Sequence, residues 1–293
     1  MSLESGHHEV MVFGSESTLL SPVKLLRGMI RDFIAAWELG VMLAFRDLKA
    51  QYRQSFLGSL WLIIPPLAWT IGITVARENN LTNIGDLSDS PEKSTAYLLI
   101  SMAMWQMFTQ AVRGPLGAFQ MNRGILTKVR FPREAIVIAD LVKQSVAMAI
   151  LCALIVAAFV YFRLPVPGSI VFFPLALLIL VALGTVIGLI LAPVGLLYKD
   201  VGNSMQYLLL AGLAVTPVTF TMEGLAPGGL FRTGVFLNPV THVLVTAREL
   251  AMGETLTLLP QFSIVTILTI VFSVVGLTIL RASMPLVVER WSS

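Results

Sequence analysis

The placement of charged residues constrains this chain more than any other feature. Arg53 and Arg77 enclose 23 uncharged residues, and Lys93 and Arg113 enclose 19. Lys143 and Arg163 enclose 19, Arg163 and Lys199 35, Asp200 and Glu223 22, and Glu254 and Arg281 26. A helix needs about 20 mostly apolar residues to cross a hydrocarbon layer about 30 Å thick. The 35-residue gap opens on Pro165-Val166-Pro167-Gly168, which reads as a turn. The gaps therefore predict six spans, at about 56–76, 95–118, 136–162, 169–197, 203–222 and 261–281. Lipid offers no partner to free backbone N–H and C=O groups, so helices are expected. The apolar runs are continuous and do not alternate, which excludes a transmembrane β-barrel. Charged residues are only 13% of the chain against 56% hydrophobic ones. Soluble domains are about a quarter charged, so an ordinary soluble enzyme and a disordered chain are both excluded. Cys152 is the single cysteine, and no disulfide framework or zinc cluster can be built on it.

An even number of spans returns both termini to one side. On that side lie thirteen basic residues: Lys24, Arg27, Arg31, Arg46, Lys49, Arg53, Arg123, Lys128, Arg130, Arg133, Lys199, Arg281 and Arg290. The opposite loops hold five, Arg77, Lys93, Arg163, Arg232 and Arg248. Positive charge stays inside, which predicts cytoplasmic termini. A net charge of only +3 serves this orientation and points away from nucleic acid. Residues 1–21 are expected to be a cytoplasmic tail, since Glu4, Glu9 and Glu16 and the lack of a long apolar core do not fit a signal peptide. His7 and His8 in that tail read as solvated, so no metal site is expected. Residues 286–293 form a second short tail.

Residues 22–54 are too polar to span but have helical order. At 100° per residue, Lys24, Arg27, Arg31, Glu38, Lys49 and Arg53 fall within an arc of about 80°. Leu26, Ile30, Phe33, Trp37, Val41, Ala44, Leu48 and Tyr52 fall within another of about 100°. Such a helix, with a Trp on its apolar side, is expected to lie along the cytoplasmic membrane surface. A helix packed on a partner protein is the alternative. Gly40 is a point where the segment could break in two.

No phosphate-binding Gly-x-x-x-x-Gly-Lys-Ser/Thr loop and no His-Glu-x-x-His motif is present, so neither ATP binding of that kind nor zinc hydrolysis is expected. Charged groups within spans usually pair. Asp140 and Lys143 lie three apart on one helical face and read as a structural pair. Gly184 and Gly188 form a small-x-x-x-small contact, with a partner helix of the same chain as the simpler expectation. Trp61, Trp69 and Trp105 serve either as interfacial anchors or as a track on which sugar rings stack. Trp69 reads as an anchor, and Trp61 and Trp105, with Phe108, as track candidates.

Five segments, taken in order, resemble the permeases of ABC transporters that export bacterial polysaccharides (O-antigen, capsule and teichoic acid chains). They are Arg46-Asp47-Leu48-Lys49-Ala50-Gln51-Tyr52-Arg53-Gln54-Ser55-Phe56-Leu57-Gly58-Ser59-Leu60-Trp61 running into Pro65-Pro66, Asn122-Arg123-Gly124-Ile125-Leu126-Thr127-Lys128-Val129-Arg130-Phe131-Pro132-Arg133-Glu134, Leu197-Tyr198-Lys199-Asp200-Val201, Thr216-Pro217-Val218, and Leu237-Asn238-Pro239-Val240-Thr241-His242. Ser101 stands where a Gly is expected, and Lys199 where an Arg is usual.

The resemblance implies an all-α integral membrane protein of six spans within 55–285, preceded by the amphipathic helix at 22–54. It implies short re-entrant helices at 224–260, with Asn238 and Pro239 as an outer-gate turn. It implies a homodimer served by two copies of a separate ATPase subunit, with ATP and magnesium on that partner and no cofactor on this chain. Asn122, Arg123, Gly124, Lys128, Arg130, Pro132 and Arg133 become the ATPase-coupling loop, and Arg46, Lys49 and Arg53 the basic side of a gate helix. The implied substrate is a lipid-linked polysaccharide, O-antigen first, exported from the cytoplasmic side. Teichoic acid, capsule or drug export are alternatives within the family. A polytopic enzyme that modifies glycans is the alternative outside it.

Overall fold

The computed structural model describes residues 22–53, 55–79, 81, 90–128, 131–222, 225 and 228–292. Among them every regular element is helical. The α-helices are α1 (Pro22–Arg53), α2 (Ile64–Glu78), α3 (Pro91–Met121), α4 (Arg123–Leu126), α5 (Arg133–Tyr161), α6 (Phe173–Leu197), α7 (Lys199–Val215), α8 (Leu230–Leu237), α9 (Pro239–Met252) and α10 (Leu259–Ser292). Short turns of 3-10 helix, Gly58–Leu62 and Gly168–Phe172, lead into α2 and α6.

Among the described residues, three helical stretches are long and apolar enough to cross a membrane: Arg133–Tyr161, Gly168–Leu197 and Leu259–Trp291. The outer side of α10 leaves Ile264, Ile267, Ile270 and Val271 exposed, as an aqueous surface would not tolerate over such a length. Two other uncharged gaps give shorter helices, and prolines are the reason. Pro65 and Pro66 lie in the first turn of α2, where a missing N–H costs nothing, so the α-helix begins at Ile64. Thr216 is extended ahead of Pro217, because the residue before a proline avoids the helical region, and α7 stops at Val215.

Helix α3 is the centre of the bundle. It is 31 residues long and most of them are buried, so protein rather than lipid surrounds much of it. Its main partner is α6, and glycines set the approach. A Cβ at Gly184 would lie 2.8 Å from both the Ala111 Cβ and the Phe108 carbonyl oxygen, and one at Gly188 would collide with the Val112 carbonyl oxygen. The small-residue motif therefore joins two helices of one chain.

Helix α1 is continuous through Gly40. That glycine lies at a crossing, where a Cβ would come within 2.6 Å of the Ile138 side chain on α5. The buried stripe of α1 is Met29, Ala36, Leu43, Ala44 and Leu48. Ile30, Ile34, Trp37 and Phe45 remain exposed on an adjoining stripe. The apolar residues of this helix thus serve two surfaces: one packs on α5 and one is left open.

Candidate functional site

Two polar assemblies stand out against this apolar bundle. The first joins α1, the α3–α4 turn and α5. Asp47, on the packed side of α1, is only 2% exposed. Its carboxylate accepts from Arg46 Nη2 at 2.7 Å and from Arg46 Nε at 3.1 Å, and lies 3.6 Å from Lys143 Nζ. Arg46 also donates to Asn122 Oδ1 at 2.6 Å. Asn122 is buried at the end of α3 and anchored by a 2.9 Å bond from Nδ2 to the Ala118 carbonyl. Two motifs far apart in sequence, Arg46-Asp47 and Asn122-Arg123-Gly124, thereby meet.

This arrangement gives Lys143 a closer partner than Asp140, which still feels its charge. Its ammonium pairs across to Asp47, because α1 brings a buried carboxylate to it. Asp140 instead accepts from Gln144 Nε2 at 2.6 Å, and Gln144 accepts from the Thr185 hydroxyl at 2.8 Å. Gly114 leaves room for that carboxylate, since a Cβ there would lie 2.6 Å from both oxygens.

The same face of the bundle holds the end of α10. Arg281 pairs with Asp32 of α1 at 2.9 Å and with Glu134 of α5 at 2.8 Å, and Arg133 donates to the Arg281 carbonyl at 3.1 Å. The Arg123 guanidinium lies 4.9 Å from the Trp291 ring centre. Of the loop residues singled out from sequence, Arg123 and Arg133 thus hold α10, Asn122 holds α1, and Gly124, Lys128 and Pro132 are exposed. Arg130 lies outside the described residues. Lys49 and Arg53 are exposed on α1.

The second assembly is a groove of about 440 Å³ between α2, α3 and α7. Trp69 and Trp105 line it together with Gln106, Gln110, Arg113 and Gln206. Gln106, Gln110 and Arg113 share one face of α3 through their spacing of three and four. Gly212 of α7 lets that helix approach, since a Cβ there would lie 3.3 Å from the Trp105 ring. Phe108 tilts against Trp105 at 5.3 Å but is buried toward α6, and Trp61 is exposed in the turn before α2. Trp69, read as an anchor, sits on the groove; neither Trp61 nor Phe108 lines it.

At the opposite end of the bundle the two closing motifs bind each other. Asn238 accepts from the Val240 N–H at 3.0 Å, capping α9, and donates to Thr216 Oγ1 at 2.9 Å. Pro217 gives its carbonyl to Arg248 at 2.8 Å. Arg248 and Glu249 escaped the sequence reading, which counted Arg248 among loop residues. The available signal was two adjacent charges in an otherwise apolar segment, Val243 to Ala251.

An O-antigen export system permease protein RfbA of Myxococcus xanthus is 26% identical over 229 residues, 74% of this chain and 82% of the relative. An O-antigen export system permease protein RfbA of Klebsiella pneumoniae is 25% identical over 252 residues, 83% of this chain and 91% of the relative. Residues 39–252 match the ABC-2 type transporter family, a span that takes in α2 to α9 and the polar junction of α1. The chain belongs to the ABC-2 type transporter family and is a multi-pass membrane permease.

Proposed function

We propose that this chain is the membrane subunit of an ATP-driven exporter that carries a lipid-linked, O-antigen-type polysaccharide out across the bacterial inner membrane. The observation that carries this reading is the groove. Trp69 and Trp105 beside Gln106, Gln110 and Gln206 offer aromatic faces and amides, the chemistry that suits the apolar faces and hydroxyls of sugars. Relatives named as O-antigen export permeases support the substrate class. Six crossings are proposed, by α2 with its leading turn, α3, α5, α6, α7 and α10. Helices α8 and α9 enter from outside as a re-entrant pair turned at Asn238-Pro239, and both termini are cytoplasmic.

Two copies form the channel, with α2, α3 and α7 facing it, and two copies of a separate ATPase drive it. The turn at 121–134 seats on that ATPase, with Lys128 facing the partner and Asn122 passing its displacement to α1 through Arg46 and Asp47. Arg46, Lys49 and Arg53 meet the lipid-phosphate end of the substrate as α1 moves. The exposed stripe of Ile30, Ile34, Trp37 and Phe45 rests in the lipid interface.

The test is deletion of the chromosomal gene with complementation. Surface polysaccharide should disappear, lipid-linked glycan should accumulate inside the inner membrane, and the affinity-tagged chain should retain an ATPase subunit. Unchanged surface glycan in the deletion strain would overturn the proposal.

A further inference from the structure

A second cleft, of about 660 Å³, lies at the far end of the bundle from the α1 junction, between α3, α8 and α9 and the turn before α10. Its volume is within the range of about 300–1,000 Å³ typical of small-ligand sites. Its described lining includes two arginines, Arg232 and Arg248, and two glutamates, Glu249 and Glu254. Arg248 is 3% exposed. It is held in place from three sides: Nη1 donates to the Pro217 carbonyl at 2.8 Å and to Ser101 Oγ at 3.4 Å, and the guanidinium lies 3.9 Å from the Tyr97 ring centre. Its Nε is buried and has no hydrogen-bond partner among the described residues. Ser101, which replaces an expected Gly, thus supplies one of the supports. Glu249 is occupied by the backbone N–H and hydroxyl of Thr257. Phe236 is 43% exposed, with His242 edge-on to it at 5.2 Å.

We infer that this cleft is a sugar-binding subsite for the glycan, an inference that rests on the export reading above. Charges of both signs in equal number do not select an ion. They do supply hydrogen-bond donors and acceptors side by side, which a pyranose ring with several hydroxyls requires. Phe236 offers an aromatic face to the C–H side of such a ring. Thr255, Glu254 and Arg232 offer exchangeable partners around it, and Arg248, buried and held by Pro217 and Ser101, lines the cleft as a fixed cation. The re-entrant helices then grip a sugar unit near the exit and do more than close the pore.

The test uses the intact transporter in cells making their own glycan. A photocrosslinking amino acid replaces Thr255 in the cleft or, in a parallel strain, Gln106 in the groove, and yields are normalised to protein in the membrane. Adducts are scored for vicinal diols by periodate and hydrazide labelling, and for lipid phosphorus. The expected result is diol-positive adducts at both positions. Phe236→Ala and Glu254→Gln should lower the Thr255 yield at least fivefold and leave the Gln106 yield unchanged. Adducts at Gln106 with none at Thr255 would overturn the subsite. So would phosphorus-only adducts at Thr255, which would mark a lipid headgroup site, or a Thr255 yield indifferent to both variants. Absence of glycan at both positions would overturn the export reading, and the subsite with it.

Discussion

Asp47→Ala should strip the α1 junction of its buried anion. Removing one member of a buried ion pair costs about 3–5 kcal/mol, because the other charge stays behind without compensation. Two features of this site reduce that figure. Arg46 is 51% exposed on its side chain and recovers hydration, whereas Lys143, at 17%, does not. The Lys143 contact, at 3.6 Å, is also longer than an ideal charge-assisted hydrogen bond. A loss of about 2–3 kcal/mol follows, or about 30- to 150-fold in the folding equilibrium. Asp47→Ala with Lys143→Met removes both charges and should recover about 1–2 kcal/mol of the loss. The assay is denaturant unfolding in detergent micelles, followed by tryptophan fluorescence, across the full cycle of single and double variants. Export normalised to folded protein supplies a second readout. It should fall further for Asp47→Ala than stability alone explains, because Arg46, which joins Asn122 to α1, loses the carboxylate that orients it. A strictly additive cycle, or a single variant within about 0.5 kcal/mol of the parent, would refute the reasoning. The packing of Gly40 on Ile138 would then be enough to hold α1.

Gly188→Ala places a methyl against the Val112 carbonyl oxygen of α3 and should destabilise by about 1–3 kcal/mol, whereas Gly117→Ala, with open space around it, should be neutral or slightly stabilising in the same unfolding assay. Trp105→Ala and Trp69→Ala should both slow export per folded protein, and Trp61→Ala should not; equal rates for all three would detach the groove from transport. Lys128→Glu should weaken co-purification of the ATPase with stability unchanged, whereas Arg133→Glu should also loosen α10 through its bond to the Arg281 carbonyl. A cysteine at Leu81 should react with an impermeant thiol reagent in intact spheroplasts and one at Thr127 should not; the reverse pattern would invert the proposed topology.

The spacing of charges alone determined that this chain is helical and membrane-embedded, because long uncharged runs leave the backbone no other way to satisfy its polar groups. The charge-free gaps ran the spans 56–76 and 203–222 across Pro65-Pro66 and Thr216-Pro217, whereas α2 begins at Ile64 and α7 ends at Val215, since proline acts on its own residue and its neighbour. The ordered motifs carried the family. What only the tertiary structure decided were matters of partnership. Periodicity put the apolar residues of α1 on one broad side but could not divide them between α5 and an open surface. Gly40 reads as a break in sequence and is a crossing in space. Asp140 and Lys143 look paired at a spacing of three, yet Asp47, almost a hundred residues away, takes the lysine. Trp61, Trp69 and Trp105 share composition and neighbourhood, and only the docking of α7 on α3 separates those that face the groove from the one that does not. In each case the deciding quantity is the distance between side-chain ends on different helices. Local sequence fixes the direction of each side chain from its own axis, but the helix packed opposite determines what it meets.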